Sequence, residues 1–334
     1  MRTINKPGRH GPNRGSALLA VLWLSAALAT IAISLADTVR GEAERSATAV
    51  DGLRSQDLAI GGLRRAILYM DWGRKYPDRF KPPGPFFTFD FPEGQTIVDI
   101  IPETAKFDIN ATQPADLFSL LLNLGVDPAR AQDIVAAIVD WRSAPPPTFS
   151  SPFDSFYASL HPPYLATHTR FQEIEELLSV RGVTPDIFYG GWQPAPEGAT
   201  QHLSRRTGLA ECVSVFGATT QFDVNTAPPA VLAAAGVPPP GVAALVQQRR
   251  VQPFLTPADL APFADIAGPG FTHLRIGGYT IFTLRSAARV RLANGQLSDL
   301  RRTVAALVKF LPVGDTSYHI LRWYDNVPDS DPYR

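Results

Sequence analysis

Residues 16–36 form an unbroken apolar run of 21 residues without charge, proline or glycine. At about 1.5 Å per helical residue such a run reaches across the roughly 30 Å hydrocarbon core of a bilayer. The pattern therefore predicts one membrane-crossing helix. Arg2, Lys6, Arg9 and Arg14 precede it with no acidic residue among them, and a basic flank stays on the cytoplasmic side. Everything after Asp37 is expected on the opposite side, the periplasm in a bacterium, as a single-pass protein of the inner membrane. From residue 38 to 69 the apolar positions recur three to five apart, at Val39, Ala43, Ala47, Val50, Leu53, Leu58, Leu63 and Ile67. Arg40, Glu42, Glu44, Arg45, Asp51 and Arg54 fill the other faces, so the helix is expected to continue as an amphipathic one with a narrow apolar stripe. Gly41, Gly52, Gly61 and Gly62 are expected to allow local bends.

After residue 76 the period shortens. Residues 86–91 and 96–101 are β-branched and aromatic runs separated by Pro92-Glu93-Gly94, a hairpin signal. Residues 279–292 and 296–310 form a second such pair around Asn294-Gly295. Strand signals thus flank a helical middle. The economical arrangement is α+β: the long N-terminal helix packed on a small antiparallel sheet, with a large α-helical domain inserted between its strands.

The middle contains an internal repeat. Residues 107–117, FDINATQPADL, parallel 222–232, FDVNTAPPAVL, at a constant offset of 115. Leu124-Gly125-Val126 then parallels Ala235-Gly236-Val237, each leading into another apolar segment. Asn110 and Asn225 stand where an N-cap or Asx-turn is expected to start a helix with proline in its first turn. Each copy reads as a small helix-hairpin-helix or SAM-like unit. Such units often bind DNA through hairpin amides, but here Pro128, Pro238 and Pro239 remove donors and Asp127 repels phosphate. Arg205-Arg206 and Arg249-Arg250 are expected on solvated faces, and protein–protein packing or a plain scaffold is the expected role.

Composition narrows the picture further. Basic and acidic residues balance at 31 each, which leaves no global field for nucleic acid. The single cysteine, Cys212, excludes an intrachain disulfide and is expected to be a small buried side chain. The six histidines (His10, His161, His168, His202, His273 and His319) form no H-E-x-x-H or comparable pattern, and no P-loop or G-x-S-x-G occurs. Glu173, Glu175 and Glu176 are expected on a solvated face. No catalytic role and no cofactor are expected.

Three readings of the N-terminus stay open on residues alone: an uncleaved signal anchor, a secretory signal cut after Ser34-Leu35-Ala36, and a leader ending at Gly15. In the third, a short basic leader ending in glycine meets an apolar helix directly, which resembles a prepilin peptidase substrate.

Taken together, the leader, the helical spine and the duplicated insert resemble the K-type minor pseudopilin family of type II secretion systems. Residues 222–229 resemble the start of that family's second SAM-like unit. Val139-Asp140-Trp141-Arg142 resembles the close of its first, and residues 177–185 its connector. The resemblance implies a leader at 1–15, a transmembrane helix at 16–36 and an amphipathic continuation at 37–76. The pseudopilin sheet would be built from 77–104 and 275–334, the first SAM-like insert from 105–212 and the second from 213–274. Gly15 would end the leader and Ser16 would become the mature, N-methylated first residue. The fifth mature position is then Ala20, where most pilins carry glutamate. A carboxylate in hydrocarbon is costly unless paired, so an apolar residue suits a subunit with no predecessor above it. The resemblance further implies I-type and J-type pseudopilins as tip partners, prepilin peptidase as processing enzyme, and contact with the inner-membrane secretion platform. The implied function is to start and cap the pseudopilus that drives export of folded proteins across the outer membrane. Some family members bind calcium after the "DW". Here that stretch has no carboxylates, and Asp140 and Asp154 alone make a poor cage. The alternatives are a competence-like anchored DNA receptor and a generic periplasmic scaffold.

Overall fold

The computed structural model describes residues 14–80, 84–144, 151–194, 203–311 and 317–327. One helix, α1 (Arg14–Lys75), accounts for 62 of them. It is the one described helix long and apolar enough to cross a membrane. The chain divides into two compact units, residues up to Arg54 and Ser55–Arg334. The described part of the first, Arg14–Arg54, is helix alone, and apolar side chains there are exposed: Trp23 is 75% exposed and Leu22 62%.

In the second unit the rest of α1 meets a five-stranded antiparallel sheet. Its strands are β1 (Phe86–Phe91), β2 (Gly94–Pro102), β3 (Ile281–Arg291), β4 (Leu297–Phe310) and β5 (Tyr318–Tyr324), and they lie side by side in that order. Both expected hairpins are present, with Pro92-Glu93 turning β1 into β2 and Gly295 at φ 84° turning β3 into β4. Strand β5 had no signal of its own in the sequence and forms by pairing with β4. Ala59, Leu63, Ala66 and Ile67 of α1 are buried against Phe87, Phe89, Val98, Leu284, Ala288, Val304 and Val308. Burying Leu63 and Ile67 contributes about 1.5–3 kcal/mol each.

The helix stripe differs from the expected one. Leu53 is 65% exposed, whereas Ser55 is buried and donates to the Ala288 carbonyl at 2.8 Å. Small residues set the contact: a Cβ on Gly62 would lie 2.5 Å from Thr96 Oγ1. Gly62 therefore serves a close helix–sheet approach, not a bend. The expected stripe holds at Leu58, Leu63 and Ile67 and fails at Leu53, with small residues added at the closest approach.

Strands β2 and β3 are hydrogen-bonded neighbours, so residues 103–280 loop out between them. These residues have their own core, centred on Phe107, Leu117, Leu121, Ile134, Ile138, Trp141, Phe222, Leu232 and Leu245. The longest α-helices among the described residues there are α2 (Pro114–Asn123), α3 (Pro128–Arg142), α4 (Pro229–Ala234) and α5 (Pro239–Val251). Proline at the first or second position opens each one, where its missing N–H costs nothing. Helix α2 packs on both α3 and α4, and the Phe107 and Phe222 rings meet at 4.4 Å. The two copies of the repeat are thus in contact through their matching elements.

Candidate functional site

Gly15 and Ser16 lie in the first turn of α1, and their side chains lie outside what the structure describes. Ala20 follows on the same helix and is exposed. The sites on the looped-out residues are better defined, and each begins with the repeat.

Asn110 and Asn225 do not cap helices. Helix α2 begins at Pro114 with Gln113 as its cap residue, and α4 begins at Pro229 with Pro228. Each asparagine instead clasps a distant backbone. Asn110 Nδ2 donates to the Phe171 carbonyl at 3.0 Å, and its Oδ1 accepts from the Phe171 N–H at 2.8 Å. Asn225 does the same with Phe254, at 2.8 and 2.9 Å. The correction has a simple cause: a side-chain amide has both a donor and an acceptor, so it pairs with one residue's backbone as a strand would. The Asx-turn belongs to Asp108, whose Oδ1 accepts from the Asn110 N–H at 2.8 Å.

The rest of the scheme is duplicated too. Arg142 donates to the carbonyls of Ile109 and Thr112, and Arg249 donates to those of Val224 and Ala227, acceptors that stand 115 positions on from Ile109 and Thr112. Two residues past each clasped phenylalanine a capping box starts a short helical turn: Glu173 with Glu176, and Thr256 with Asp259. Glu173 and Glu175 also pair with Arg322 of β5. The acidic face is solvated as expected, with Glu173 50% exposed, and it is also structural. Arg249, by contrast, is no solvated charge, being 4% exposed, and Arg206 donates to the Asp186 carbonyl. Burial withdraws Arg249 from phosphate, and Asp127 caps α3 by accepting from Ala129 and Arg130. Burial pushes the Asp108 and Asp223 carboxyls above the usual range, against the pull of the backbone N–H donors around them. Cys212 is fully buried and burial pushes its thiol far up, which makes it inert.

The first copy carries an additional cluster. Asp140 accepts from Ser151 Oγ at 2.7 Å. His168 sits between the two carboxylates considered above, with Nε2 3.0 Å from Asp154 Oδ1 and Nδ1 3.2 Å from the Asp140 carbonyl. Its backbone is held at φ 47°, an uncommon conformation for a side-chain-bearing residue. Burial pushes the imidazole pKa down, but the bond to Asp154 and the neighbourhood of Asp140 outweigh it and leave it raised. Both ring nitrogens face acceptors, which only the imidazolium satisfies as a double donor. Beside the cluster Trp141, Tyr157 and Phe171 pack in a buried aromatic group. Among the described residues no group of three or more His, Cys, Asp or Glu is arranged to hold a metal ion.

Two clefts open where the looped-out residues meet the sheet. One, of about 200 Å³, is lined by Arg322 with its two glutamates and by the Lys106–Glu103 pair. The other, of about 310 Å³, is lined by Thr104, Arg275 and Tyr279. No sequence pattern pointed to either, because each gathers residues from several segments well separated along the chain.

Residues 103–189 match the family model described as type II secretion system (T2SS), protein K. Type II secretion system protein K of Pectobacterium carotovorum subsp. carotovorum is 32% identical over 199 residues, covering 52% of this chain and 60% of that protein. The protein of the same name from Klebsiella pneumoniae is 27% identical over 197 residues, covering 52% and 60%. The chain thus spans about three-fifths of the length of the curated relatives it matches. Among solved structures, the GspK-GspI-GspJ complex of the enterotoxigenic Escherichia coli type 2 secretion system contains a similar fold. Its TM-score is 0.51 at 18% identity, covering 84% of this chain and 98% of that one.

Proposed function

As the chain belongs to the type II secretion system protein K family, we propose that it is a minor pseudopilin that starts and caps the pseudopilus, in support of protein export across the outer membrane. The observation that carries this reading is α1. One unbroken helix supplies an apolar, exposed segment and then the strip on which the sheet is built. A subunit of that form joins others by laying helix beside helix. The partners are then I-type and J-type pseudopilins, as in the complex that holds the structural relative. The bulk of the chain stands in the periplasm, and the inner-membrane platform is its base.

Prepilin peptidase would cut after Gly15 and leave Ser16 as a methylated terminus. Ala20 then stands fifth, and a subunit with no carboxylate there needs no partner amine above it. The looped-out residues, read as two SAM-like units at 105–212 and 213–274, would block addition of another subunit on top. No metal is required at the "DW": Ser151 and His168 already engage Asp140 and Asp154. Calorimetric titration of calcium with a micromolar constant would contradict that last point.

The test is the intact mass and N-terminal sequence of the protein taken from its own membrane, with its co-purifying proteins identified. A chain starting at Ser16 with one added methyl group, recovered with two smaller pseudopilins, is the expected result. An intact Met1, or a cut after Ala36, would sink the reading.

A further inference from the structure

Three connections converge on the larger cleft. The short turn Glu103–Ala105 leaves β2, residues 215–221 join the two copies of the repeat, and residues 275–281 lead back into β3. The loop at its wall is fixed by backbone contacts. Ala218 donates to Lys106 at 2.8 Å and accepts from Asp108 at 2.9 Å, and a Cβ on Gly217 would lie 2.5 Å from the Phe107 backbone. The cleft is therefore built, not a gap between mobile parts.

Its cation is Arg275. The guanidinium carbon lies 3.9 Å from the centre of the Tyr279 ring. Stacking covers one face of the group and leaves the donors of its terminal Nη edge in the plane of the guanidinium. The Arg275 Nε is buried without a hydrogen-bond partner, as is the hydroxyl of Thr104, itself 8% exposed. The surrounding charges are already engaged: Glu103 accepts from Lys106 at 3.0 Å and from Thr283 at 2.6 Å. In the smaller cleft Arg322 is neutralised by Glu173 and Glu175. Arg275 forms no ion pair among the described residues.

From this arrangement we infer that the cleft binds a carboxylate, carried on an acidic side chain of a partner protein. A planar guanidinium matches a carboxylate with two parallel hydrogen bonds. A lone cation suits a monoanion, whereas a phosphate dianion would be left half neutralised. The shape selects the source of the carboxylate. Small-molecule sites bury about 70–90% of their ligand, but this cleft opens between the exposed rings of Phe216 and Tyr279. Such an opening suits a side chain that reaches in from a larger surface and rests its stem on the two rings. The inference does not depend on the pseudopilin reading, since it uses only residues on the cleft.

Phenylglyoxal modification of the full chain in detergent, followed at each arginine by peptide mass spectrometry, tests it. At millimolar concentration a blocked Ala-Leu-Glu-Leu-Ala peptide is expected to slow modification of Arg275 at least fivefold. The exposed Arg291 should react unchanged, and the glutamine version of the peptide should give no protection. N-acetylglutamate is expected to need at least fivefold higher concentration than the peptide. Equal protection by the glutamine peptide, equal slowing at Arg291, or an Arg275 that does not react even alone would overturn the site. Equal potency of N-acetylglutamate would overturn the protein source.

Discussion

The two copies of the repeat solve one folding problem with connections of different length. In the second copy Phe254 follows Arg249 by five positions, and in the first Phe171 follows Arg142 by twenty-nine. The asparagine clasp, the arginine bonds and the capping box are the same in both. What changes is burial. Arg249 and Asn225 are enclosed, while Arg142 and Asn110 are half-buried. The extra length of the first copy carries residues that the second lacks altogether, among them Ser151, Asp154 and His168. A hydrogen-bond scheme can therefore persist while a connection within it grows, provided the new segment brings its own polar ties.

Four experiments break or sharpen this comparison, each read from unfolding midpoints of the full chain in detergent. The largest effect is expected for Arg249→Met, which leaves the buried Val224 and Ala227 carbonyls unpaired at a cost of about 3 kcal/mol or more. Arg142→Met should cost about 1–2 kcal/mol, because water can reach the abandoned carbonyls. Equal losses would show that burial does not separate the copies. Next come the clasps: Asn225→Ala is expected to cost about 2–3 kcal/mol and Asn110→Ala about 1–2 kcal/mol, and a reversed order would refute the same argument.

The third experiment concerns pH. The folded-state pKa of His168 is raised, so its stabilising contribution is complete below the ordinary histidine value of about 6.5 and fades as pH rises through the raised one. The wild type should therefore lose stability between mildly acidic and mildly alkaline pH, and His168→Gln should flatten that slope. An unchanged slope in the variant would remove His168 as its source. The smallest effects are predicted for Gly125→Ala and Gly236→Ala. Both glycines have positive φ, 79° and 90°, and each substitution should cost about 1 kcal/mol. A clear difference between them would mean that the two hairpins are not equivalent.

Much of this was legible in the sequence for physical reasons. A 115-residue offset sustained over eleven positions marked two segments that fold alike, and the hairpins followed from turn chemistry at Pro92-Glu93-Gly94 and Asn294-Gly295. Other features were not legible. The clasp partners Phe171 and Phe254 lie 61 and 29 positions from their asparagines, beyond any local pattern. Strand β5 exists because β4 offers it an edge, and its own alternation is weak. The stripe on α1 was right at Leu63 and Ile67 but incomplete, because Ala59, Ala66 and Gly62 also mark the close helix–sheet contact. Arg275 and Tyr279 gave no signal, since their meaning depends on Thr104 and on the loop after Val215.

The adjacency of β2 and β3 has a consequence for how the chain folds. Pairing them closes a loop from residue 103 to 280, where a hairpin would close one of a few residues. Each doubling of loop length costs about 0.6 kcal/mol in chain entropy, so about six doublings amount to on the order of 4 kcal/mol. That cost falls on the sheet only while the loop is still unstructured. Once the turn at Glu103–Ala105 packs against the 222–223 and 281–291 strands, the two ends are already held together. The expected order of assembly is that the looped-out residues fold first and the centre of the sheet closes last, and earlier pulsed hydrogen-exchange protection of β2 and β3 than of residues 107–275 would contradict it.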